Sequence, residues 1–225
     1  MGVAIRRAGE GDREDVVRLL DTAFMQDPVS SWIFPEEGHR LRTHRGLMRA
    51  FFHIALSEGY VDVTEDGSAV ALWWSVSAGA LEGDGEGPGD VGGDGGAGGD
   101  GGDRGGVEDG PAWLRQVVDP GNERLELVGR LTEAIHPNDR AHEYLHLIAV
   151  HPDRQGEGLG TALVTGVLER CDREGRHAYL EASNTRSRDL YARLGFSFMG
   201  TTLDLPDGPR MWPMWREPRV AGASG

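Results

Sequence analysis

Gln155-Gly156-Glu157-Gly158-Leu159-Gly160-Thr161 is the stretch of this chain best suited to hold an anion. An apolar run, Leu147-Ile148-Ala149-Val150, enters it, and a run with helical spacing, Ala162-Leu163 to Val167-Leu168, leaves it. The spacing predicts a strand, a glycine-rich turn and a helix start. The first amides of a helix lack internal partners and lie at the positive end of its dipole, so such a turn is a site for phosphate. Glycine lets the backbone approach a ligand with no side chain in the way. Two phosphate loops are excluded by spacing. A P-loop needs Lys-Ser/Thr after its last glycine, and Thr161-Ala162 follows Gly160. A dinucleotide fingerprint needs GxGxxG, and here glycines fall at every second position.

The elements that must position this turn follow from hydrophobic period and punctuation. Val3 to Arg6 reads as a first strand, and Asp12 as the cap of a helix carrying Val16, Leu19, Leu20 and Ala23. Asp27-Pro28 breaks that helix, and Trp32 to Pro35 is too short to be another. A helix over His39–Ser57 offers Leu41, Leu47, Phe51, Ile54 and Ala55 for burial. Tyr60–Thr64 and Ala69–Val76 form a hairpin. Residues 79–110 are nearly all Gly, Asp and Glu, and read as a disordered insertion within a single domain of residues 1–225. Gly95-Gly96-Ala97-Gly98-Gly99-Asp100 matches the core of a calcium-binding repeat but has no second copy, so no metal is expected. A helical region from Trp113, a strand over His142–Val150, a helix over Gly158–Glu174, a strand over Ala178–Ala182 and a helix capped by Ser183 or Asn184 follow. Two strands around Pro206-Asp207-Gly208 and a tail at 217–225 end the chain. That order predicts an α/β fold, a mixed sheet with helices on both faces.

The net charge of −14 argues against a nucleic-acid partner. Nine acids and one base in residues 82–110 account for −8 of it, which leaves −6 for the rest. A single cysteine, Cys171, excludes an internal disulfide, suits a cytoplasmic location, and reads as a packing residue. No apolar run approaches ~20 residues, so no membrane span is expected.

After Val150 and Pro152, the pattern Gln155-x-x-Gly158-x-Gly160 resembles the acetyl-CoA motif of the GCN5-related N-acetyltransferase (GNAT) superfamily. Leu180-Glu181-Ala182-Ser183-Asn184 followed by Leu190-Tyr191-Ala192-Arg193-Leu194-Gly195-Phe196 is similar to the second motif of that superfamily. Ala23-Phe24, Asp27-Pro28, Val70 to Trp73 and Pro206 to Trp212 extend the resemblance to the puromycin N-acetyltransferase branch of actinobacteria, with antibiotic resistance as a role it would imply.

The resemblance implies a twisted, mostly antiparallel mixed sheet and acetyl-CoA as cosubstrate. Backbone amides of Gln155, Gly156, Glu157, Gly158, Leu159, Gly160 and Thr161 would bind its pyrophosphate. The edge of Ile148, Ala149 and Val150 would hold its pantetheine arm, and Asn184 would bond near its thioester. Tyr191 matches the general acid; a phenol with a pKa of ~10 stays protonated at neutral pH. A backbone N–H near Ile148 would stabilise the oxyanion.

The acceptor's ammonium group must also lose a proton. Strand alternation sets His142, Tyr144 and His146 on one face and Glu143, Leu145 and Leu147 on the other. His146, with an ordinary pKa near ~6.5, is the best-placed base, as in the arylalkylamine acetyltransferases that Tyr144-Leu145-His146 resembles. A bulge would promote Glu143 instead; water is the third option. Trp32, Phe34, Trp73, Trp212 and Trp215 could line a pocket for a ring-bearing amine. The expected reaction is acetylation of a small-molecule amine by direct attack, in a monomer or homodimer. A non-catalytic acetyl-CoA sensor and a protein or peptide N-acetyltransferase are the alternatives.

Overall fold

A computed structural model describes residues 3–79 and 109–219. The strands are β1 (Ile5–Arg7), β2 (Tyr60–Thr64), β3 (Ala69–Val76), β4 (His142–Val150), β5 (His177–Ala182), β6 (Ser197–Phe198), β7 (Leu203–Asp204) and β8 (Arg210–Arg216). The helices are α1 (Arg13–Phe24), α2 (Pro28–Ile33), α3 (Glu37–Glu58), α4 (Gly110–Val118), α5 (Glu123–Ile135), α6 (Leu159–Glu174) and α7 (Thr185–Arg193). The sheet runs β1-β2-β3-β4-β5-β8-β6, with β7 on β8. Every pairing is antiparallel except β4 with β5. This is the mixed, mostly antiparallel sheet expected from the sequence.

Alternating strand residues feed two cores. Val61, Val63, Val70, Leu72 and Ala149 meet α1, α3 and α5 through Leu20, Phe52 and Leu125. Ala71, Trp73, Leu145, Leu180 and Met214 meet α6 and α7 through Leu163, Val167 and Tyr191. Cys171 is buried in that second core, where burial raises its thiol to about 11, so it packs and does not react.

Three sequence expectations need correction. Residues 28–33 do form a short helix, because Asp27 caps it: Oδ1 accepts from Val29 N at 2.9 Å, and Pro28 needs no amide partner at the first position. Leu41 is 61% exposed, and α3 instead buries Arg40, His44, Met48, Ala50 and Phe52. The insertion expected over 79–110 falls mostly outside the described residues, as does the calcium-like stretch. Its last two residues are structured, with Asp109 capping α4 at Gly110.

The β7–β8 turn and α2 are stitched together. Trp32 Nε1 donates to Pro206 O at 2.9 Å, and a Cβ on Gly208 would collide with the Trp32 indole. Gly208→Ala is therefore expected to destabilise the fold by about 1–3 kcal/mol. Chemical denaturation would measure this; an unchanged midpoint would show that the turn yields freely.

Candidate functional site

The glycine turn leaves β4 at Val150 and enters α6 at Leu159. Gly156 and Gly158 have φ of +88° and +83°, a left-handed conformation costly for other residues. Gly158 occupies the N-cap of α6 and has no side chain to cap with. The first backward bond runs from Ala162 N to Gly158 O at 2.9 Å. The amides of Leu159, Gly160 and Thr161 therefore lack intrahelical partners. Gln155, Gly156, Glu157 and Gly158 are exposed beside them. Arg154 offsets the one acid in the turn, pairing with Glu157 at 2.8 Å and with Asp66 at 3.0 Å. Gly158→Val would strain this turn by about 1–3 kcal/mol and put methyls over the free amides. Affinity for coenzyme A is expected to fall at least about tenfold. Calorimetric titration would show it, and an unchanged affinity would remove the turn from the site.

Above the turn, the sheet opens. β4 pairs with β5 only from His142↔His177 to Leu145↔Leu180. β4 continues to Val150, bonded to β3 alone, from Leu147↔Leu72 to Val150↔Ala69. Past Leu145 its other edge makes no strand pairing among the described residues. Ile148, Ala149 and Val150 lie on this open edge. Ile148 and Val150 face α6, where Gly160 leaves them room, and Ala149 faces the other core.

The helix that follows β5, α7, carries Asn184 at its start and Tyr191 near its end. Asn184 caps α7, with Oδ1 accepting from Ser187 N at 2.9 Å. Its Nδ2 makes only a 3.4 Å bond to Ser183 Oγ and keeps donor capacity. Tyr191 is 5% exposed and packs edge-on against Phe196. Burial pushes its phenol well above its ordinary pKa, so it stays protonated. No hydrogen bond among the described residues uses its hydroxyl.

The two expected bases separate. The register of β4 on β3 shifts between Leu72 and Trp73, which pair with Leu147 and Leu145. His146 is the extra residue of that bulge. The bulge thus follows Glu143 and leaves it on the α6 face, which corrects its candidacy as a base. There Glu143 is 2% exposed and accepts from Tyr60 Oη at 2.5 Å and Ser75 Oγ at 2.8 Å. Arg170 and Arg176 lie 3.1 and 3.3 Å away. A carboxylate fixed by two guanidiniums is a structural ion cluster.

Leu147, expected opposite His146, joins the same core side because of the bulge. His146 packs between Phe51 and Trp74, and its Nδ1 is 3.1 Å from Tyr144 Oη. Burial lowers it to about 4, well below the ~6.5 expected of a free imidazole. At neutral pH it is uncharged, with little driving force to take an amine's proton.

Glu181 was missed as an ionisable group. Alternation on β5 sets Ala178, Leu180 and Ala182 toward α6, and Tyr179 and Glu181 toward the opposite face. Glu181 Oε2 accepts from Tyr144 Oη at 2.8 Å, and burial raises the carboxyl to about 7. The Tyr179 hydroxyl faces the same carboxylate without reaching hydrogen-bond geometry. The signal was present: one acid in an otherwise apolar strand.

The aromatic residues expected to line a pocket do not converge. Trp73 is buried on the α6 face and stacks on Tyr60, and Phe34 is fully buried. Trp212 lies under Arg188, and Trp215 under Arg140. Trp74, Tyr144 and Tyr179 instead pack as an aromatic cluster on the face away from α6. Asp27 is nearby, its Oδ2 accepting from Ser183 Oγ at 2.9 Å.

Among the described residues no helix is long and apolar enough to cross a membrane, and no cluster of potential metal ligands is found.

The chain is similar to known acetyltransferases. Mycothiol acetyltransferase of Arthrobacter sp. (strain FB24) is 33% identical over 93 residues, 39% of this chain. L-methionine sulfoximine/L-methionine sulfone acetyltransferase of Pseudomonas aeruginosa is 38% identical over 58 residues, 24% of this chain. The chain spans only 28% and 34% of the length of these relatives. Two solved structures share the fold over nearly the whole chain. One is a Corynebacterium glutamicum protein described as histone acetyltransferase HPA2 and related acetyltransferase. Its TM-score is 0.67 at 23% identity, covering 99% of this chain and 100% of that one. The other is arylalkylamine N-acetyltransferase 2 of Aedes aegypti, with TM-score 0.62 at 14% identity, covering 97% and 100%. Acetyltransferases of the GNAT family use acetyl-CoA. Residues 108–196, which carry the glycine turn, the open strand edge and Tyr191, match the acetyltransferase (GNAT) family, and the chain has the α/β GNAT fold.

Proposed function

We propose that the protein transfers the acetyl group of acetyl-CoA to the amine of a small molecule by direct attack. The observation that carries this is the parting of β4 and β5 above the glycine turn, where the first amides of α6 are free. Acetyl-CoA would supply an acetyl thioester. Amides of residues 155–161 would hold its pyrophosphate, the open edge at Ile148–Val150 its arm, and Asn184 Nδ2 a carbonyl near the thioester. A backbone N–H near Ile148 would face the developing oxyanion. Tyr191 would protonate the departing thiolate.

A small acceptor is favoured by the relatives' names, and the half-buried Trp74 and Tyr144 suit a ring-bearing amine. The puromycin-like segments add an aminonucleoside to the candidates. Thiol release from acetyl-CoA, followed against tyramine, puromycin, L-methionine sulfone and a short peptide, tests this. Release that saturates with one of the three small amines is the expected result. Cofactor binding without turnover on any of them would favour a sensor, and turnover on the peptide alone would favour peptide acetylation.

A further inference from the structure

Three buried polar atoms without hydrogen-bond partners lie on one face of the β4–β5 fork: His146 Nε2, Tyr179 Oη and Glu181 Oε1. Natural folds leave few such atoms unpaired, and each costs about 1–3 kcal/mol unless a ligand or water meets it. All three belong to residues that contact Tyr144. Tyr144 Oη is 2.8 Å from Glu181 Oε2 and 3.1 Å from His146 Nδ1. Tyr144 and Tyr179 have ring centroids 5.6 Å apart. Glu181 is also the first β5 residue beyond Leu145↔Leu180, the last pair before the strands part. It therefore stands where the open edge begins, on the face away from α6.

We propose that Glu181 is the proton acceptor for the incoming ammonium group, and that Tyr144 and His146 position its carboxylate. The proposal rests on the acetyl-transfer function above. Glu181 takes one proton from R–NH3⁺. The freed nitrogen lone pair forms the C–N bond, and the C–S bond breaks with its electron pair on sulfur. The thiolate takes the proton of Tyr191, and the second nitrogen proton restores the phenol. Glu181 then releases its proton to solvent, so the sum is R–NH3⁺ plus thioester giving amide, thiol and H⁺.

Among the described residues no cationic side chain pairs with this carboxylate. The groups facing it are Tyr144 and His146 from β4 and Tyr179 from β5. His136, at the α5 end, packs edge-on to both tyrosines, and Asp27 adjoins through Ser183. His136 and His146 are both lowered by burial to about 4 and are neutral at neutral pH. Glu143, on the opposite face, has two arginines. Glu181 is poised to exchange a proton near pH 7.

Glu181→Gln keeps the shape and an acceptor for Tyr144. With whichever of tyramine, puromycin or L-methionine sulfone wild type acetylates, kcat is expected to fall about 100-fold while coenzyme A affinity stays within about twofold. Wild-type kcat should decline as pH falls through about 7, because the protonated carboxyl accepts nothing. That limb should vanish in Glu181→Gln. It should move to higher pH in Tyr144→Phe, which loses a bond favouring the charged form; a merely structural tyrosine would not move it. A Glu181→Gln enzyme within about threefold of wild-type kcat, or with the same acid limb, overturns the proposal alone. Wild type that acetylates none of the amines overturns the function and the proposal with it.

A measurement needing no acceptor runs in parallel. The folded carboxyl titrates above its unfolded value, so native Glu181 holds an extra proton between about pH 4.5 and 7. Wild type should lose stability relative to Glu181→Gln as pH rises through that window, by about tenfold in unfolding constant per pH unit. A flat difference would place Glu181 in the ordinary range and overturn its role.

Discussion

Tyr191→Phe is expected to lower kcat about 100- to 1,000-fold while leaving coenzyme A affinity within about twofold. Positioned proton transfer contributes about 10²–10⁴ to rate. The substitution removes one oxygen from a residue held by Phe196 and the α6–α7 core, so shape and packing persist. Among the described residues the hydroxyl makes no hydrogen bond that would be lost. Stability should thus be nearly unchanged. Burial keeps the phenol protonated far above neutrality, so its loss should remove rate evenly across pH 6–9 and create no new limb. Steady-state kinetics with coenzyme A titration separates the outcomes. A parallel fall in affinity would make Tyr191 a packing residue, and an unchanged kcat would assign the donor elsewhere.

Glu143→Leu should have the opposite profile. Removing this carboxylate strands Arg170 and Arg176 beneath α6 and leaves the Tyr60 hydroxyl without its acceptor. Breaking a buried pair by removing one partner costs about 3–5 kcal/mol. The two arginine side chains are 29% and 31% exposed and can regain water, which favours the lower end. A loss of about 3 kcal/mol corresponds to a Tm drop of roughly 6–12 °C in a domain of this size. At a temperature where the variant is folded, the pH–rate profile should match wild type. A normal Tm with a displaced profile would return Glu143 to the chemistry.

The contrast between the two glutamates marks what could be read from the sequence. The glycine turn, the α6 start and the Asn184–Tyr191 helix are local patterns, and the structure has each where spacing put it. The hairpin of β2 and β3 was equally legible because its turn and alternation lie in one segment. The bulge at His146 was not, because it is a mismatch between β4 and β3 that neither strand encodes alone. One extra residue moves Leu147 to the face of His146. Glu181 could be placed on a face of β5, but its partner Tyr144 comes from a strand 37 residues earlier. The perturbed titration of His146 and Glu181 is likewise a property of burial, which composition does not report. The short helix α2 needed the side-chain bonds of Asp27, not a hydrophobic period.

The reaction proposed for the β4–β5 fork is direct acetyl transfer from acetyl-CoA to an amine. Following a carbon-13 acetyl label from acetyl-CoA, with tyramine, puromycin and L-methionine sulfone as acceptors, tests it most directly. The label should appear in an amide of one of these amines, one equivalent for each thiol released, and the Gly158→Val variant should require far more acetyl-CoA for the same rate. A label that stays on the thioester of bound acetyl-CoA with every amine, or leaves only as acetate, would contradict it.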